Sequence, residues 1–457
     1  MAALSDWPWR HWTKLQPDEP ALILQDAALS WSQLVRQIDQ LATGLMQQGV
    51  RSGCGVVLKA RNSQPALLAY LALLQCGARV IMLNPQLPAT QLAAIVPALN
   101  ADFSLSLDGA PLTSIAPLRW VIANGSPRHQ WDDRQIATLT LTSGSSGQPK
   151  AVAHTFAAHL ASASGVVDAM NFTRQDRWLL SLPLFHVSGQ GIVWRWLLRG
   201  AGLVLADGLA LLQALEHCTF ASLVPTQLWR LLQQPELPGS LRNVLLGGAA
   251  IPQSLTQQAE ARGIACWCGY GLTETASTVA AKRADKRSGV GRALAGHQIR
   301  ISNGEVQLKS PALACGYWHD GELLPLTDAD GWFASRDGGH LEQGELVLTG
   351  RLDNQFFSAG EGIQPEQIES LLLSHPAVSQ AFIVPREDRE FGQRPVALVA
   401  LTADLPLTAL AEWAKGRLAG FQRPVSWYPL PELDSGGIKL SRQRLTQWVA
   451  QQEKGRQ

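Results

Sequence analysis

Through its first two-thirds the chain alternates short apolar runs with longer amphipathic ones, and this alternation restricts the fold more than any other feature. Residues 56–58, 80–83, 103–107, 120–123, 203–206 and 244–246 have the character of buried strands. Between them, 31–48, 65–76, 157–170 and 209–218 carry apolar side chains at helical spacing. Strands that alternate with helices predict parallel sheets covered by helices. After about residue 296 the texture changes to period-two strands with turns at 298–302, 305–309 and 340–349. Beyond residue 350 a compact pattern predicts a helix at 365–374, strands at 378–384 and 395–401, and a helix at 408–418. The predicted class is therefore α/β plus α+β. Residues 1–350 form a large N-terminal domain of helix-covered sheets with a β-rich subdomain, and residues 351–457 a small C-terminal α+β domain. A chain of 457 residues exceeds what one hydrophobic core sustains, which agrees with two domains.

Charge excludes some functions. Thirty-eight basic and thirty-seven acidic residues leave a net charge of +1, so there is no footprint for nucleic acid or an anionic membrane. The opening MAALSDWPWRHW is interrupted by Asp6 and gives no export signal, and the apolar run 66–74 is too short for a membrane anchor. A cytoplasmic enzyme is predicted. Six cysteines without a CxxC pair predict reduced thiols and no metal site built on them. Oligomeric state is left open, a homo-oligomer included.

The most chemically telling stretch is TLTSGSSGQPK, residues 140–150. Gly144 and Gly147 let backbone N–H groups converge, Thr142, Ser143, Ser145 and Ser146 add side-chain donors, and Lys150 adds a cation. That is a cradle for phosphate oxygens, or else a plain Gly/Ser turn. It is not a Walker loop, because Lys150 is followed by Ala151 and not by Ser or Thr. A second stretch, Gly269-Tyr270-Gly271-Leu272-Thr273-Glu274-Thr275, combines an aromatic face for a nucleobase, a hydroxyl for a phosphoryl oxygen and a carboxylate for Mg²⁺. Read alone it is equally a strand-to-helix turn with Thr273 as N-cap.

Together, TSGSSGQPK and the later YGLTET resemble the adenylate-forming superfamily of acyl-CoA synthetases, peptide-synthetase adenylation domains and luciferases. Further blocks follow in the superfamily's order. Residues 245–250 resemble its adenine loop, GWF leading to Asp337 resembles WxxTGD, Gly350-Arg351-Leu352-Asp353 resembles GRxD, GEGIQPEQIE resembles GxxIxPxEIE, and Lys439-Leu440-Ser441-Arg442 resembles the terminal KIxR.

The resemblance implies two half-reactions, attack of a carboxylate on the α-phosphate of ATP and then displacement of AMP by the thiol of coenzyme A. It also implies a set of roles. Thr142, Ser143, Gly144, Ser145, Ser146, Gly147 and Lys150 hold phosphates; Gly248, Ala249, Ala250, Gly269, Tyr270, Gly271 and Thr273 surround the nucleotide; Asp337 and Arg351 bind the ribose. Glu274 positions Mg²⁺, and Lys439, with Thr142 and Glu274, is catalytic. Asp353 is the pivot of a mobile small domain. Without the resemblance, Asp337 reads as an Asp-Gly turn and Lys439 as an exposed amine. Three departures stand out: Ser145-Ser146 in place of a threonine-bearing loop, Ser335-Arg336-Asp337 in place of TGD, and Ser435-Gly436-Gly437-Ile438 ahead of Lys439 where SGKI is usual.

PLFHVSG, residues 183–189, resembles the superfamily's acyl-pocket segment, placing His186 and Ser188 at the substrate; a core histidine is the alternative. Arg195, in GIVWRWLLRG, sits among apolar residues and needs an anionic partner, either a second carboxylate on the substrate or a protein Asp or Glu. An aromatic dicarboxylate suits the first option. The short length, GGAAIP and the GGIKLSRQRL ending resemble the bacterial branch that joins 2-succinylbenzoate to coenzyme A for menaquinone. Alternatives are a CoA ligase for another aryl or medium-chain acid, or a silent nucleotide-binding relative. The partners implied are small molecules only: the acid, ATP and CoA.

Overall fold

The computed structural model describes residues 4–127, 129–142, 150–358, 361–388, 390–431 and 441–454. Their strands form four sheets, two of which make up the body of the molecule. One has parallel strands Gly55–Lys59, Arg79–Leu83, Phe103–Ser106 and Ile136–Thr142, continued antiparallel by Lys150–Thr155 and Gly316–His319. The other has parallel strands Arg177–Leu179, Gly202–Val204, Phe220–Leu223, Asn243–Leu246 and Ala265–Leu272, extended antiparallel by Ser277–Arg283. Helices Trp31–Gln47, Gln64–Gln75, Phe156–Ala169 and Val187–Arg199 contribute to one core that takes side chains from both sheets, among them Leu34, Leu71, Val166 and Trp194 with Val80 and Phe220.

Local chemistry starts these helices where they begin. Ser30 accepts from the backbone N–H of Gln33, whose side chain bonds back to the backbone of Ser30; Ser63 and Thr155 accept from Ala66 and Ala158 in the same way. Helix Gln64–Gln75 is buried from Ala66 to Gln75, which fits its lack of a polar face.

Gln298–Ser302, Glu305–Lys309, Phe333–Glu342 and Glu345–Arg351 form the β-rich subdomain, and its Val306, Leu308, Phe333 and Leu346 pack on Tyr270 and Val279 of the large sheet. The small C-terminal domain has a sheet of Phe356–Ser358, Glu361–Ile363, Val378–Asp388, Gly392–Leu401 and Ser426–Pro429, with helices Pro365–Leu373, Leu407–Lys415 and Arg442–Lys454. Two cores, one on Ile368 and Leu410 and one on Leu398 and Leu445, belong to this domain alone. Among the described residues no helix is long and apolar enough to cross a membrane.

Three expectations need correction. Residues 120–123 form no strand; Trp120 and Ile122 face outward and the segment is held by an Ala123 N–H to Gln40 carbonyl bond. Of 209–218 only Leu211–Ala214 is helical, because the chain turns at Leu215 to deliver the next strand. The run 340–349 is not one strand but the ends of two, Phe333–Glu342 and Glu345–Arg351, joined by a hairpin turn at 343–344.

Candidate active site

The parallel strands of the second sheet end at Leu223, Leu246 and Leu272, and a cavity of about 2870 Å³ opens beyond them. Crevices at the carboxyl ends of parallel strands are where open α/β sheets bind ligands. Every predicted site residue that the structure describes lines this one cleft: Thr142, Lys150, His186, Ser188, Arg195, Gly248, Ala249, Ala250, Gly269, Tyr270, Gly271, Thr273, Glu274, Asp337, Arg351 and Asp353. Ser143, Gly144, Ser145, Ser146, Gly147 and Lys439 lie outside the described residues.

Thr142 and Lys150 are register partners at the ends of two antiparallel strands, so the hydroxyl-rich segment starts and finishes at the cleft. Gly248, just past its strand, takes φ +80°, a backbone state that glycine adopts without strain. Gly271 is required more directly, since a Cβ there would sit 1.8 Å from the Ser277 carbonyl oxygen. The close approach brings the strand into the turn Thr273–Thr275. Leu272, not Thr273, precedes that turn as its cap, so the N-cap alternative for Thr273 is not the geometry adopted. The Thr273 carbonyl accepts from Nε2 of the fully buried His154 at 2.7 Å. Burial pushes the imidazole of His154 down to about 4, so it is neutral at physiological pH.

Glu274 accepts from the Tyr317 hydroxyl through Oε1 at 2.9 Å. Among the described residues no three His, Cys, Asp or Glu side chains converge as a ready metal site. A cation at Glu274 would therefore share one protein carboxylate with phosphate and water. Mg²⁺ is ordinarily held that way on nucleotides, so this donor set fits it.

Asp337 lies inside strand Phe333–Glu342, which overturns the Asp-Gly turn reading. Its carboxylate accepts from Tyr270 Oη at 2.6 Å and from Arg351 Nη1 at 3.2 Å. Burial raises this carboxyl above its ordinary range, against the lowering effect of those two donors. Arg351 also grips Asp353 with two bonds of 3.0 and 2.9 Å. One guanidinium thus joins the β-rich subdomain to the first residues of the small domain.

Arg195, 1% exposed, lies against the Trp178 ring with its guanidinium carbon 5.1 Å from the centroid. Its partners are hydroxyls: Ser277 at 3.1 Å, Ser222 at 3.4 Å and Thr278 at 3.5 Å. No carboxylate among the described residues pairs with it, which removes the protein Asp or Glu alternative for that part of the chain. Burial lowers the guanidinium to about 9, still charged at neutral pH. His186 precedes helix Val187–Arg199 and is only half-buried, so the core-histidine alternative does not describe it.

Ser222, Ser277, Thr278 and Tyr317 also line the cleft and were missed from sequence. Ser222, a lone polar residue in the buried strand Phe220–Leu223, is the one that carried a signal. Glu369, in the GEGIQPEQIE block, accepts from Arg442 Nη2 at 3.0 Å and from the Ile383 N–H.

The fold and cleft are those of a nucleotide-binding enzyme. The chain belongs to the AMP-binding enzyme family, whose profile matches residues 9–318, with the family's C-terminal domain matching residues 367–437. It is 54% identical to the 2-succinylbenzoate–CoA ligase of Salmonella typhimurium, strain LT2, over 98% of each chain. Among solved structures, R195K E. coli MenE with bound OSB-AMS is 50% identical, with a TM-score of 0.94 over 99% of this chain and 100% of that one. MenE from Bacillus subtilis in complex with ATP and magnesium ion is 27% identical, with a TM-score of 0.88 over 96% and 99%.

Proposed function

We propose that this protein converts 2-succinylbenzoate, ATP and coenzyme A to 2-succinylbenzoyl-CoA, AMP and pyrophosphate, a cytoplasmic step of menaquinone biosynthesis. In the first half-reaction a substrate carboxylate oxygen bonds to the α-phosphorus and pyrophosphate leaves. In the second, the CoA sulfur bonds to the acyl carbon, AMP leaves, and the thiol proton passes to solvent or base.

Charge that gathers around the α-phosphorus needs donors and cations fixed in advance. The 142–150 segment and Thr273 would hold phosphate oxygens, and Lys439 would bring a cation from the small domain. Glu274 would hold Mg²⁺, which neutralises phosphate charge. Gly248, Ala249 and Ala250 would border the adenine, with Tyr270 beneath it; Asp337 and Arg351 would take the ribose. Residues 1–350 and 351–457 would act as two domains that pivot at Asp353 between half-reactions.

The observation that carries the substrate assignment is Arg195, a buried cation at the cleft whose described partners are neutral hydroxyls. Its unmet charge suits a second carboxylate on an aromatic acid, with His186 and Ser188 at the same pocket. The test is to supply the protein with ATP, Mg²⁺, CoA and 2-succinylbenzoate beside benzoate and octanoate, and to look for thioesters by mass. The dicarboxylate should be the preferred acid; preference for either monocarboxylate would overturn the assignment.

A further inference from the structure

We propose that Tyr317 is a positioning residue for the nucleotide half-reaction, orienting the magnesium-binding carboxylate of Glu274 through its hydroxyl and seating Lys150 on its ring. The inference rests on the ligase reading above and adds to it a residue from a distant strand.

Two contacts meet on this one side chain. The hydroxyl donates to Glu274 Oε1 at 2.9 Å, and the Lys150 ammonium lies 4.8 Å from the centre of the ring. Each contact involves a group assigned to phosphate or cation.

The surrounding backbone is built to hold it there. Strand Gly316–His319 pairs antiparallel with Lys150–Thr155, placing Tyr317 opposite Val152 and Trp318 opposite Ala151. Alternate side chains leave a strand on opposite faces. Trp318 is anchored away from the cleft by its bond to the Leu99 carbonyl and by Arg79 over its ring, so Tyr317 faces the cleft. Gly316 permits the register, as a Cβ there would lie 2.4 Å from the Leu324 carbonyl oxygen. The Ala314 N–H donates to the Glu274 carbonyl at 2.9 Å, so the same segment fixes both backbone and side chain of that glutamate.

A group that orients a metal ligand typically changes metal affinity about 10- to 100-fold when removed. A cation over an exposed ring is a weaker effect, about two- to fivefold. Calorimetric titration of ATP into the full-length wild type, Y317F and Y317L across a Mg²⁺ series separates the two, with AMP in metal-free buffer as the control. Y317F should raise the Mg²⁺ concentration for half-maximal ATP binding about tenfold and leave AMP affinity unchanged. Y317L should in addition weaken ATP binding about two- to fivefold at saturating Mg²⁺. If Y317F keeps the wild-type Mg²⁺ curve, or loses AMP binding in parallel, the inference is overturned while the ligase reading stands. A wild type that binds neither nucleotide overturns both.

Discussion

Arg195, a buried cation with hydroxyl partners, is the residue on which the proposed substrate choice turns. Replacing it with Gln removes the cation and leaves the pocket's shape nearly intact, so kcat/KM for 2-succinylbenzoate should fall about 100-fold or more, while turnover of benzoate changes little. A steady-state comparison of both acids checks this, and equal losses on the two would point to a structural effect. A second residue-scale prediction concerns Asp337. Its carboxyl is raised by burial and held down by Tyr270 and Arg351. Tyr270→Phe removes one restraint, so the carboxyl should protonate at higher pH, and KM for ATP should begin to rise at a higher pH than in wild type as the solution is acidified. A KM–pH profile for ATP reads the shift. Residues that line the cleft could be read from sequence where polar groups are concentrated in a contiguous run, as in 269–275 and at Thr142 and Lys150, the described ends of the other run. Ser277, Thr278 and Tyr317 were not, because their proximity to Arg195 and Glu274 comes from strand pairing and no local spacing encodes it.

At the scale of elements, most strands and helices of the large sheets could be read from apolar periodicity, since each buries a face of predictable spacing. The failures have separate local causes. Residues 120–123 are apolar in composition yet lie on the surface, and 209–218 has helical spacing but too little room before the strand Phe220–Leu223. The turn after Gly271 gives two further predictions. Gly271→Ala drives a methyl into the Ser277 carbonyl, so the strand must shift, Thr273 and Glu274 with it; adenylation should fall at least about tenfold and melting temperature should drop. Pyrophosphate release and a thermal melt test this together. Beneath the same turn, His154 is neutral in the folded protein down to about pH 4 but protonates near 6.5 when unfolded. The stability this confers is complete above pH 6.5 and declines as pH falls toward 4. Between pH 7 and 5 the loss is about 2 kcal/mol. His154→Gln should flatten that slope, as measured by urea unfolding at the two pH values.

For the whole molecule, the compact pattern beyond residue 350 made a small C-terminal domain legible, while the cleft was not, because residues far apart in sequence line it. Gly350 takes φ +131°, and a Cβ there would lie 2.5 Å from the side chains of Gln364 and Glu366, so the junction is tightly packed in the arrangement seen. Asp353→Pro fixes a backbone angle at this junction. Adenylate formation should persist and thioester formation should fall about 100-fold, as read by separate assays of the two half-reactions. Arg351 adds a last consequence, since the same guanidinium serves as counter-ion both to Asp337 and to Asp353. On the proposed roles, a ligand that draws on the first carboxylate would alter the grip on the second, and reciprocity would then apply: whatever favours one orientation of the C-terminal lobe would, by an equal free energy, tighten or loosen the hold on the sugar.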